Sequence, residues 1–479
     1  MEKSTQPTEV SQNPDEEVKQ EQTLQQEEEV KDTTAVSSTS ALKPQTDDPD
    51  KIRDNLKNLY NQLNSRATSN QDRRQLEFLK QLMPLYEKHE FWDTQPVPKN
   101  LGASQQVKKE GQIVSKKVEE VQKEPLALPE GFEWSTVDLK DDEQVREVYE
   151  LLRSNYVEDS ENTFRFDYPV EFLRWALLIP GYIPEWFVGV RGSQNKKLLA
   201  FISGIPVKTQ VKQQTVKMAE INFLCVHKKL RTKRLAPVLI KEITRRVNIT
   251  GVWQALYTAG VVVPRPISTA TYYHRSLNAK KLVDVGFNSL PAGVPMARYQ
   301  KMHKVPSMGE VNLIGEARPM TEKDVPQVFK LLTEYLKKFD VKLKFTEHEI
   351  AHMLLPRDGV VNSYVVYNAE KKKITDFVSF YRLPSQILKK IGHNHDQVNV
   401  AYSFYNAATV NPLTELMKYA LVQAKEIGFD VFNALDIMDN VEFLDELKFA
   451  PGDGSLHYYL YNWHLDSRVT PSSLGVVLV

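Results

Sequence analysis

The sequence contains a single cysteine, Cys225, in 479 residues. One cysteine cannot form a disulfide within the chain, and it cannot build a cysteine-rich zinc site. Histidines number only ten, and the neighbouring pair His393 and His395 is typical of a solvated turn, because no other cluster of candidate ligands lies close by in the sequence. We therefore expect neither a disulfide nor a bound metal ion.

Long apolar runs are missing as well. No stretch of about 18 apolar residues occurs, and no apolar segment follows Met1. The sequence therefore predicts neither a secretory signal nor a membrane span, and we expect a cytoplasmic protein.

The formal net charge is zero, but the charges are unevenly distributed. Residues 1–50 contain 13 acidic residues, 4 lysines and no aromatic residue. Such a segment cannot bury enough apolar surface to offset its ordering entropy, so we interpret it as a disordered acidic tail. The remaining chain carries 58 basic and 49 acidic residues. This modest, mixed excess suits an anionic cofactor better than nucleic acid.

The most informative segment is an apolar strand that leads into a basic turn. Glu220–Lys228 (EINFLCVHK) is followed by Arg231–Pro237 (RTKRLAP), and apolar residues then recur at helical spacing. Pro237 suits a first helical turn because it needs no backbone donor there. Unpaired N–H groups and three cations would meet at this helix start, which favours a ligand with more than one phosphate. The alternative is an ordinary basic surface turn.

The chain also contains an internal repeat. Each copy has an amphipathic helix, strands, a second helix and a further strand in the same order, which predicts two α/β units at about 135–300 and 315–463. The matched pairs are Asp138–Tyr156 with Pro319–Tyr335, Lys197–Gly204 with Lys373–Phe380, Ala219–Leu224 with Ala401–Tyr405, the helices from Pro237 and Pro412, and Gly251–Tyr257 with Phe429–Leu435. Closing segments are expected at Phe287–Gln300 and Phe449–Trp463.

The two copies differ where a phosphate would bind. The first has the cations of Arg231–Pro237 between strand and helix, whereas the second has Val410, Asn411 and Pro412. Only the first copy is therefore expected to hold a pyrophosphate. The second copy has an aromatic-rich strand instead and should supply a different ligand surface.

EINFLCVHK resembles the signature of the eukaryotic glycylpeptide N-tetradecanoyltransferases, or N-myristoyltransferases, and the basic turn resembles their CoA pyrophosphate loop. Lys448–Gly454 (KFAPGDG) resembles their second signature, in which Gly stands in place of Ala450. The resemblance covers about residues 80–479. It implies a transfer of myristate from myristoyl-CoA, as co-substrate, to the N-terminal glycine of proteins.

The repeated unit resembles the acyl-CoA N-acyltransferase superfamily called GNAT. The expected fold class is therefore α/β, with tandem duplicated GNAT-like units forming one compact catalytic body. The expected organisation is a disordered acidic tail (1–50), a helical lead-in and cofactor-closing segment (51–134), a first half that binds acyl-CoA (135–300), and a second half that binds peptide and carries a catalytic C-terminus (301–479).

The resemblance also implies the residues of the cofactor site. They lie in the segment FWDTQPVP and the residue pair before it, in the signature strand and in the basic turn, and they are His89, Glu90, Phe91, Trp92, Phe223, Leu224, Cys225, Val226, Arg231, Thr232, Lys233, Arg234, Leu235 and Ala236. Taken by themselves, Phe91 and Trp92 favour the alternative of an aromatic anchor that packs a loop.

Residues of the peptide groove are implied in the same way. They are Tyr156, Glu158, Asp159, Glu161, Phe164, Phe166, Tyr168, Gly260, Tyr272, His274, Tyr381, Ser385, Tyr402, Asn433, Leu435, Asp453 and Gly454. The three acidic side chains would form a rim that favours Lys a few positions into the substrate, or they belong to an ordinary solvated loop.

The reaction requires stabilisation of a thioester oxyanion and removal of a proton from an ammonium group. The family resemblance implies that the backbone N–H groups of Phe223 and Leu224 supply the first, if their strand bulges. It implies that the terminal carboxylate of Val479 acts as the base, with Thr258 and Asn222 orienting the proton. The apolar ending Leu474–Val479 would bury that carboxylate, although a final edge strand or a frayed end is the alternative.

A competing mechanism uses Cys225 as a nucleophile assisted by His227, since strand alternation places both on one face. Two other protein classes remain open, namely a GNAT enzyme that acetylates amines and a noncatalytic acyl-CoA sensor. The expected partners are glycine-starting peptides of nascent or newly exposed proteins. We expect a monomer that reads no nucleic acid, and ribosome association is an open expectation.

Overall fold

The computed structural model describes residues 49–65, 72, 75–76, 79, 82–87, 89–98, 109–159, 161–390 and 392–479. They fall into two compact units, one before and one after residue 88. In the first unit, α1 (Pro49–Asn64) buries Ile52 and Leu56, one helical turn apart, together with Leu79. The predicted acidic tail lies outside the described residues except for Pro49 and Asp50, which begin α1.

The second unit contains all the remaining elements. Its first part consists of β1 (Gly111–Gln112), β2 (Phe132–Thr136), α2 (Asp142–Asn155), β3 (Phe164–Phe166), α3 (Val170–Leu177), β4 (Phe187–Gly192), β5 (Leu198–Val211), β6 (Gln214–Val226), α4 (Leu235–Ile249), β7 (Gln254–Ala259), β8 (Ser268–Ser276), α5 (Ala279–Asp284) and α6 (Met296–Met302). Its second part consists of β9 (Glu316–Pro319), α7 (Val325–Leu336), β10 (Val341–Leu343), α8 (Glu347–Leu354), β11 (Val361–Asn368), β12 (Lys373–Arg382), β13 (Ser385–Ile387), β14 (Gln397–Val398), β15 (Val400–Ala407), α9 (Leu413–Glu426), β16 (Val431–Leu435), α10 (Val441–Leu444), β17 (Ala450–Tyr461), β18 (Trp463–His464) and β19 (Leu474–Gly475).

Within the described residues, fourteen strands form one sheet. Its main path runs β19-β10-β5-β6-β7-β17-β8-β16-β15-β12-β11-β9, and β4 also pairs with β5 and carries β2. The predicted repeat is present as α2 and α7, β5 and β12, β6 and β15, α4 and α9, and β7 and β16. In both copies two parallel strands flank the second helix of the repeat, β6 and β7 around α4, and β15 and β16 around α9. The predicted fold class, a duplicated α/β body, is confirmed.

The closing strands are exchanged between the two halves. β8 of the first half pairs with β16 of the second, and β17 of the second half pairs with β7 of the first. The expectation that Phe287–Gln300 closes the first half is therefore wrong, because Ser268–Ser276 supplies that strand. Pro291 and Pro295 lack the N–H groups that a central strand needs, and Pro295 instead precedes α6. The expected closing segment of the second half contains β17.

The helices cover the sheet with apolar faces that the sequence spacing predicts. Asp141 caps α2 by accepting hydrogen bonds from the N–H groups of Glu143 and Gln144, and α4 buries Leu239 and Ile243 one turn apart. None of the helices in the described part of the chain has the length and apolar character to cross a membrane.

Candidate active site

The signature strand β6 contains a bulge at the predicted position. β5 pairs Phe201 with Cys225 and Ser203 with Asn222, so two residues, Phe223 and Leu224, lie opposite one. Phe223 has a positive φ of 55°, and its ring is buried. The bulge disrupts regular pairing with β5 at these two residues, and the Phe223 N–H turns to a side-chain acceptor.

Asn222 connects this bulge to the C-terminal residue. Its Oδ1 accepts a hydrogen bond from the Phe223 N–H at 2.8 Å, and its Nδ2 donates to a carboxyl oxygen of Val479. Ser203 Oγ fixes the backbone of Asn222 by donating to its carbonyl oxygen at 3.0 Å. One side-chain amide thus holds both the bulged backbone and the terminal carboxylate.

The C-terminal run enters the core. β19 forms a two-residue parallel edge with β10, and Val476, Val477 and Leu478 beyond it are at most 9% exposed. Tyr458 Oη donates to the Val476 carbonyl oxygen at 3.2 Å, and Tyr405 Oη accepts from the Val477 N–H at 3.1 Å. The end is therefore anchored, and the alternative of a frayed terminus does not hold.

Thr258 is on β7, the strand that pairs with β6 just before Asn222. The last β6–β7 pair is Glu220 with Leu256, and Asn222 and Thr258 each follow two residues later. Thr258 also pairs with Tyr458, the residue that binds the C-terminal run. The predicted catalytic group Asn222, Phe223, Leu224, Thr258 and Val479 is thus brought to one region of the sheet.

The basic turn forms one 3₁₀ segment, Lys228–Lys233, and Arg234 then takes a left-handed conformation with φ 53° before α4. The helix begins at Leu235, two residues before the expected Pro237, and no side chain caps its start. Arg231–Arg234 are exposed, and Arg231 Nη2 donates to the Asn155 carbonyl oxygen at 2.6 Å. Exposed cations beside an uncapped helix N-terminus form an anion site.

The equivalent site in the second half is occupied by a carboxylate of the chain itself. Asp376 Oδ1 accepts hydrogen bonds from the N–H groups of Thr409, Val410 and Asn411 at 2.8–3.1 Å, directly before α9. Its Oδ2 accepts from Asn411 Nδ2 and Thr375 Oγ1. In the repeat alignment the first half has Ala200 at the position of Asp376. Sequence analysis missed this residue, although the alignment of KLLAFISG with KITDFVSF contained the signal.

The expected cofactor-closing segment packs on the sheet through stacked aromatic rings. Trp92 stacks on Tyr257 at 5.7 Å, and Tyr257 stacks on Tyr459 at 5.0 Å. Phe91 contacts Trp92 edge to face. Glu90 reaches Arg234 of the basic turn with 3.5 Å between carboxylate and guanidinium. The segment that contains His89 is therefore anchored by Trp92 next to the basic turn.

The alternative mechanism, in which His227 activates Cys225 as a nucleophile, lacks a hydrogen bond between these two side chains in the structure. Burial raises the pKa of the Cys225 thiol to about 12, and its sulfur lies 3.8 Å from the Leu151 carbonyl oxygen. His227 Nδ1 instead accepts a hydrogen bond from the Lys229 N–H, after the end of β6. A thiol with this pKa is not a nucleophile at neutral pH.

The predicted groove aromatics form a continuous belt from the bulge into the second half. Tyr168 packs edge to face against Phe223 with ring centroids 5.0 Å apart, and Tyr156 and Phe166 flank it. Tyr381 stacks on Tyr402 at 5.3 Å. The other contacts in the belt are Tyr272 with Tyr402, Phe164 with Phe287, and the strand pairs Ser385 with Phe166 and Tyr272 with Leu435.

The groove residue His274 is on β8, and the neighbouring strands β16 and β17 position its ring. His274 Nδ1 lies 2.7 Å from Asn433 Oδ1, and burial lowers the pKa of His274, which keeps the imidazole neutral. A methyl group on Gly452 would lie 2.3 Å from His274 Nε2, so this position needs glycine. Ala450 begins the same strand with no positive φ, so the departure from the family signature causes no strain. Asp453 and Gly454 follow in β17, whereas Gly260 is exposed just after β7.

Two of the three acidic rim residues have partners within the protein. Glu158 binds Lys228 and Arg165, and the Lys228 ammonium above all holds the pKa of this carboxyl below its usual range. Asp159 Oδ1 accepts from the N–H groups of Thr163 and Phe164. Glu161 is exposed. The loop is thus built partly from its own acidic side chains.

Throughout the part of the chain that the structure describes, no group of three or more His, Cys, Asp or Glu side chains is arranged to hold a metal ion. The polar groups of the site are backbone donors, an amide, a hydroxyl and a carboxylate. Together, the duplicated α/β body, the open anion site before α4 and a bulged strand beside a partly buried carboxylate define an acyltransferase of the acyl-CoA type.

Comparisons with known proteins identify the family. The model of the Myristoyl-CoA:protein N-myristoyltransferase N-terminal domain matches residues 112–270, and that of its C-terminal domain matches residues 284–477. Glycylpeptide N-tetradecanoyltransferase 1 of Arabidopsis thaliana is 53% identical over 392 residues, which span 82% of this chain and 89% of the relative. The chain therefore belongs to the N-myristoyltransferase family.

Two further comparisons agree. The glycylpeptide N-tetradecanoyltransferase of Dictyostelium discoideum is 46% identical over 418 residues, covering 85% of this chain and 99% of the relative. The crystal structure of the Saccharomyces cerevisiae N-myristoyltransferase with bound myristoyl-CoA has 40% identity and a TM-score of 0.76, and the match covers 82% of this chain and all of that one.

Proposed function

We propose that this protein transfers a myristoyl group from myristoyl-CoA to the α-amine of an N-terminal glycine. The observation that carries the proposal is the double contact of Asn222, which binds the bulged backbone at Phe223 and the carboxylate of Val479. Those are the two kinds of group that aminolysis of a thioester requires, an oxyanion donor and a base.

The first half, residues 135–300, is proposed to bind the CoA part. Support comes from the exposed cations of Arg231–Arg234 at the start of α4, and from Glu90–Trp92, which lie against the same region. Asp376 closes the corresponding position of the second half, which leaves residues 301–479 to contribute peptide-binding surface. The relative from Saccharomyces cerevisiae binds myristoyl-CoA.

The terminal carboxylate of Val479 is proposed to be the base. The glycine ammonium gives one proton to this carboxylate, and the neutral amine attacks the thioester carbonyl carbon. The C–S bond then breaks, the nitrogen loses a second proton, and the CoA thiolate takes up one proton to leave as a thiol. Asn222 and Thr258 orient the reacting groups.

The backbone N–H groups of Phe223 and Leu224 are proposed to bind the thioester oxygen as negative charge develops on it. The disruption of the β5–β6 ladder at these residues supports this role, and each such donor contributes about 10²- to 10³-fold in rate. In the structure Asn222 Oδ1 accepts from the Phe223 N–H, so the substrate oxygen would take over this donor.

Selection of glycine is proposed to be steric. Tyr156, Tyr168 and Phe223 enclose the bulge with ring contacts of 5.0–6.3 Å, which leaves little room for a side chain on the first residue. A larger first residue would overlap sterically with these rings. Such a clash discriminates more strongly than a small difference in attractive contacts would. The belt from Phe166 to Tyr402 would carry the following residues.

The test is mass spectrometry of a peptide that begins with glycine, incubated with purified protein and myristoyl-CoA. We expect one added myristoyl group on the α-amine and release of free CoA. A matched peptide with alanine at position 1 should remain unmodified, and acetyl-CoA should be a poor donor. Absence of product from the glycine peptide, with myristoyl-CoA bound, would leave the protein as an acyl-CoA sensor.

A further inference from the structure

A buried carboxyl group lies next to the proposed base. Glu220 is two residues before Asn222 on β6, and strand alternation directs both side chains to the same face. Glu220 is flanked by Ile205 on β5 and Leu256 on β7, and it is 6% exposed. In the described part of the chain, burial alone shifts the pKa of this carboxyl, and no hydrogen-bond donor lowers it. An unpaired carboxyl in such a position needs an explanation.

Glu220 and Val479 line the same cavity. Its walls are mostly apolar and come from α3, β5, α8 and β15, and Tyr405 and Val477 line it as well. The other charged residues that face it are Lys208, Lys344 and Glu349. The cavity has room for water, which carboxyl, hydroxyl and ammonium groups can bind.

Burial also sets the proton affinity of this group. It raises the pKa of Glu220 to about 8, near the value of about 8 for a peptide N-terminal ammonium. A proton can therefore pass between two such groups without a large loss of free energy. An ordinary exposed glutamate, with a pKa of about 4.3, would hold it too weakly.

We propose that Glu220 relays the proton released by the reaction from the Val479 carboxylate through the cavity to solvent. The proposal rests on the proposed function, because it requires that Val479 accept a proton in each turnover. Glu220 is then a second acid–base group of the reaction, and the cavity is its route to the surface between Lys208, Lys344 and Glu349.

The proton balance requires such an exit. A glycine ammonium has three N–H bonds and the product amide has one, so two protons leave the nitrogen. One ends on the CoA sulfur. The other leaves by exchange at Glu220: the protonated Glu220 carboxyl gives its own proton to water in the cavity, and the carboxylate so formed takes the proton from the Val479 carboxyl. Val479 is then ionised and Glu220 protonated again for the next turnover.

The test replaces Glu220 by glutamine, which keeps the shape of the side chain and cannot carry the proton. In stopped-flow measurements with a pH indicator in weak buffer, we expect proton release and kcat to fall together by about 10²-fold. The affinity for myristoyl-CoA and the KM for the peptide should stay within about twofold. Glu415→Gln, the same change on α9 outside the cavity, is the control.

A second variant separates proton relay from structural damage. Glu220→Ala leaves space in the cavity, and formate should restore at least part of its kcat because a small acid can carry the proton. A glycine peptide modified at the wild-type rate by Glu220→Gln would overturn the relay. The relay would also be overturned if both variants are slow and formate does not raise the kcat of Glu220→Ala.

The relay and the proposed function fail in different ways. If the wild-type protein releases no myristoylated peptide, the function itself is wrong. If the wild type forms product and Glu220→Gln matches it in kcat and in proton release, only the relay is wrong.

Discussion

One side chain, Asn222, connects the bulged backbone at Phe223 with the carboxylate of Val479. Asn222 is a small residue with both a donor and an acceptor, and it uses the acceptor on the Phe223 N–H and the donor on Val479. Aspartate lacks the donor and would add a negative charge next to the terminal carboxylate. Alanine lacks both groups. The identity of this residue therefore matters more than its volume.

Replacing Asn222 by alanine should lower kcat by about 10²-fold, because a base misplaced by about 1 Å loses that much rate. Binding of myristoyl-CoA should change less than twofold, since the basic turn is untouched. Steady-state kinetics and calorimetry measure the two quantities. Asn312→Ala, at an exposed asparagine, should leave both unchanged. Equal kcat values in the two variants would show that Val479 needs no partner.

Glu220 should also make stability depend on pH. Its folded pKa of about 8 lies above its unfolded value, so the folded state holds a proton that the unfolded state loses between these two values. Wild-type stability should therefore fall as pH rises through this window, relative to Glu220→Gln. Urea unfolding at pH 6 and pH 8 should show the difference growing by about 2 kcal/mol. A constant difference would mean that Glu220 titrates normally.

At the level of elements, the two helix starts that follow β6 and β15 show how one repeat keeps an anion site and the other closes it. Both starts present backbone N–H groups. α4 has exposed cations and no side-chain cap, whereas Asp376 occupies the N–H groups before α9. The first can accept a phosphate, and the second already holds an anion of its own.

Replacing Arg231 and Arg234 by alanine should weaken binding of myristoyl-CoA by about 10-fold or more for each charged hydrogen bond lost. Peptide binding should be little affected. The matched control is Lys371→Ala with Lys372→Ala, two exposed cations of the β11–β12 turn in the second half. Calorimetry that gives both double variants the same affinity would assign the CoA phosphates to another site.

Replacing Asp376 by asparagine should lower the free energy of unfolding by about 3 kcal/mol. One oxygen would become an NH₂ group facing buried donors that now bind a carboxylate. Urea denaturation measures the loss, and Asp358→Asn on the exposed surface should cost almost nothing. A loss below about 0.5 kcal/mol would mean that water or another group satisfies these donors.

The sequence predicted the elements well where local patterns decide them. The helix spacing of α2 and α4 and the repeat order identified both halves, and EINFLCVHK located the bulged strand. The expectation of a closing segment at Phe287–Gln300 is wrong, because the closing strand lies earlier, at Ser268–Ser276, and two prolines interrupt the expected segment. The hydroxyl contacts of Tyr405 and Tyr458 with the C-terminal run were beyond reach, because they join segments far apart in the chain.

At the scale of the whole molecule, the last residue lies in the middle of the proposed chemistry. Adding three residues after Val479 converts its carboxylate to an amide and forces bulk into a closed region. We expect kcat to fall by at least about 10²-fold while the affinity for myristoyl-CoA changes less than twofold. The same three residues inserted after Glu370, in an exposed turn, serve as the control. A fully active extended enzyme would remove Val479 from the mechanism.

The exchange of β8 and β17 also has a consequence for synthesis and folding. When a ribosome has made the first half, β7 still lacks β17, and β8 lacks both β17 and β16. The nascent first half therefore exposes unpaired central strands until nearly the whole chain has been made, and such edges associate with other chains. Contacts between strands so distant in sequence also form slowly. We infer that the two halves cannot mature as separate domains, and that the chain depends on protection from aggregation until β17 inserts between β7 and β8.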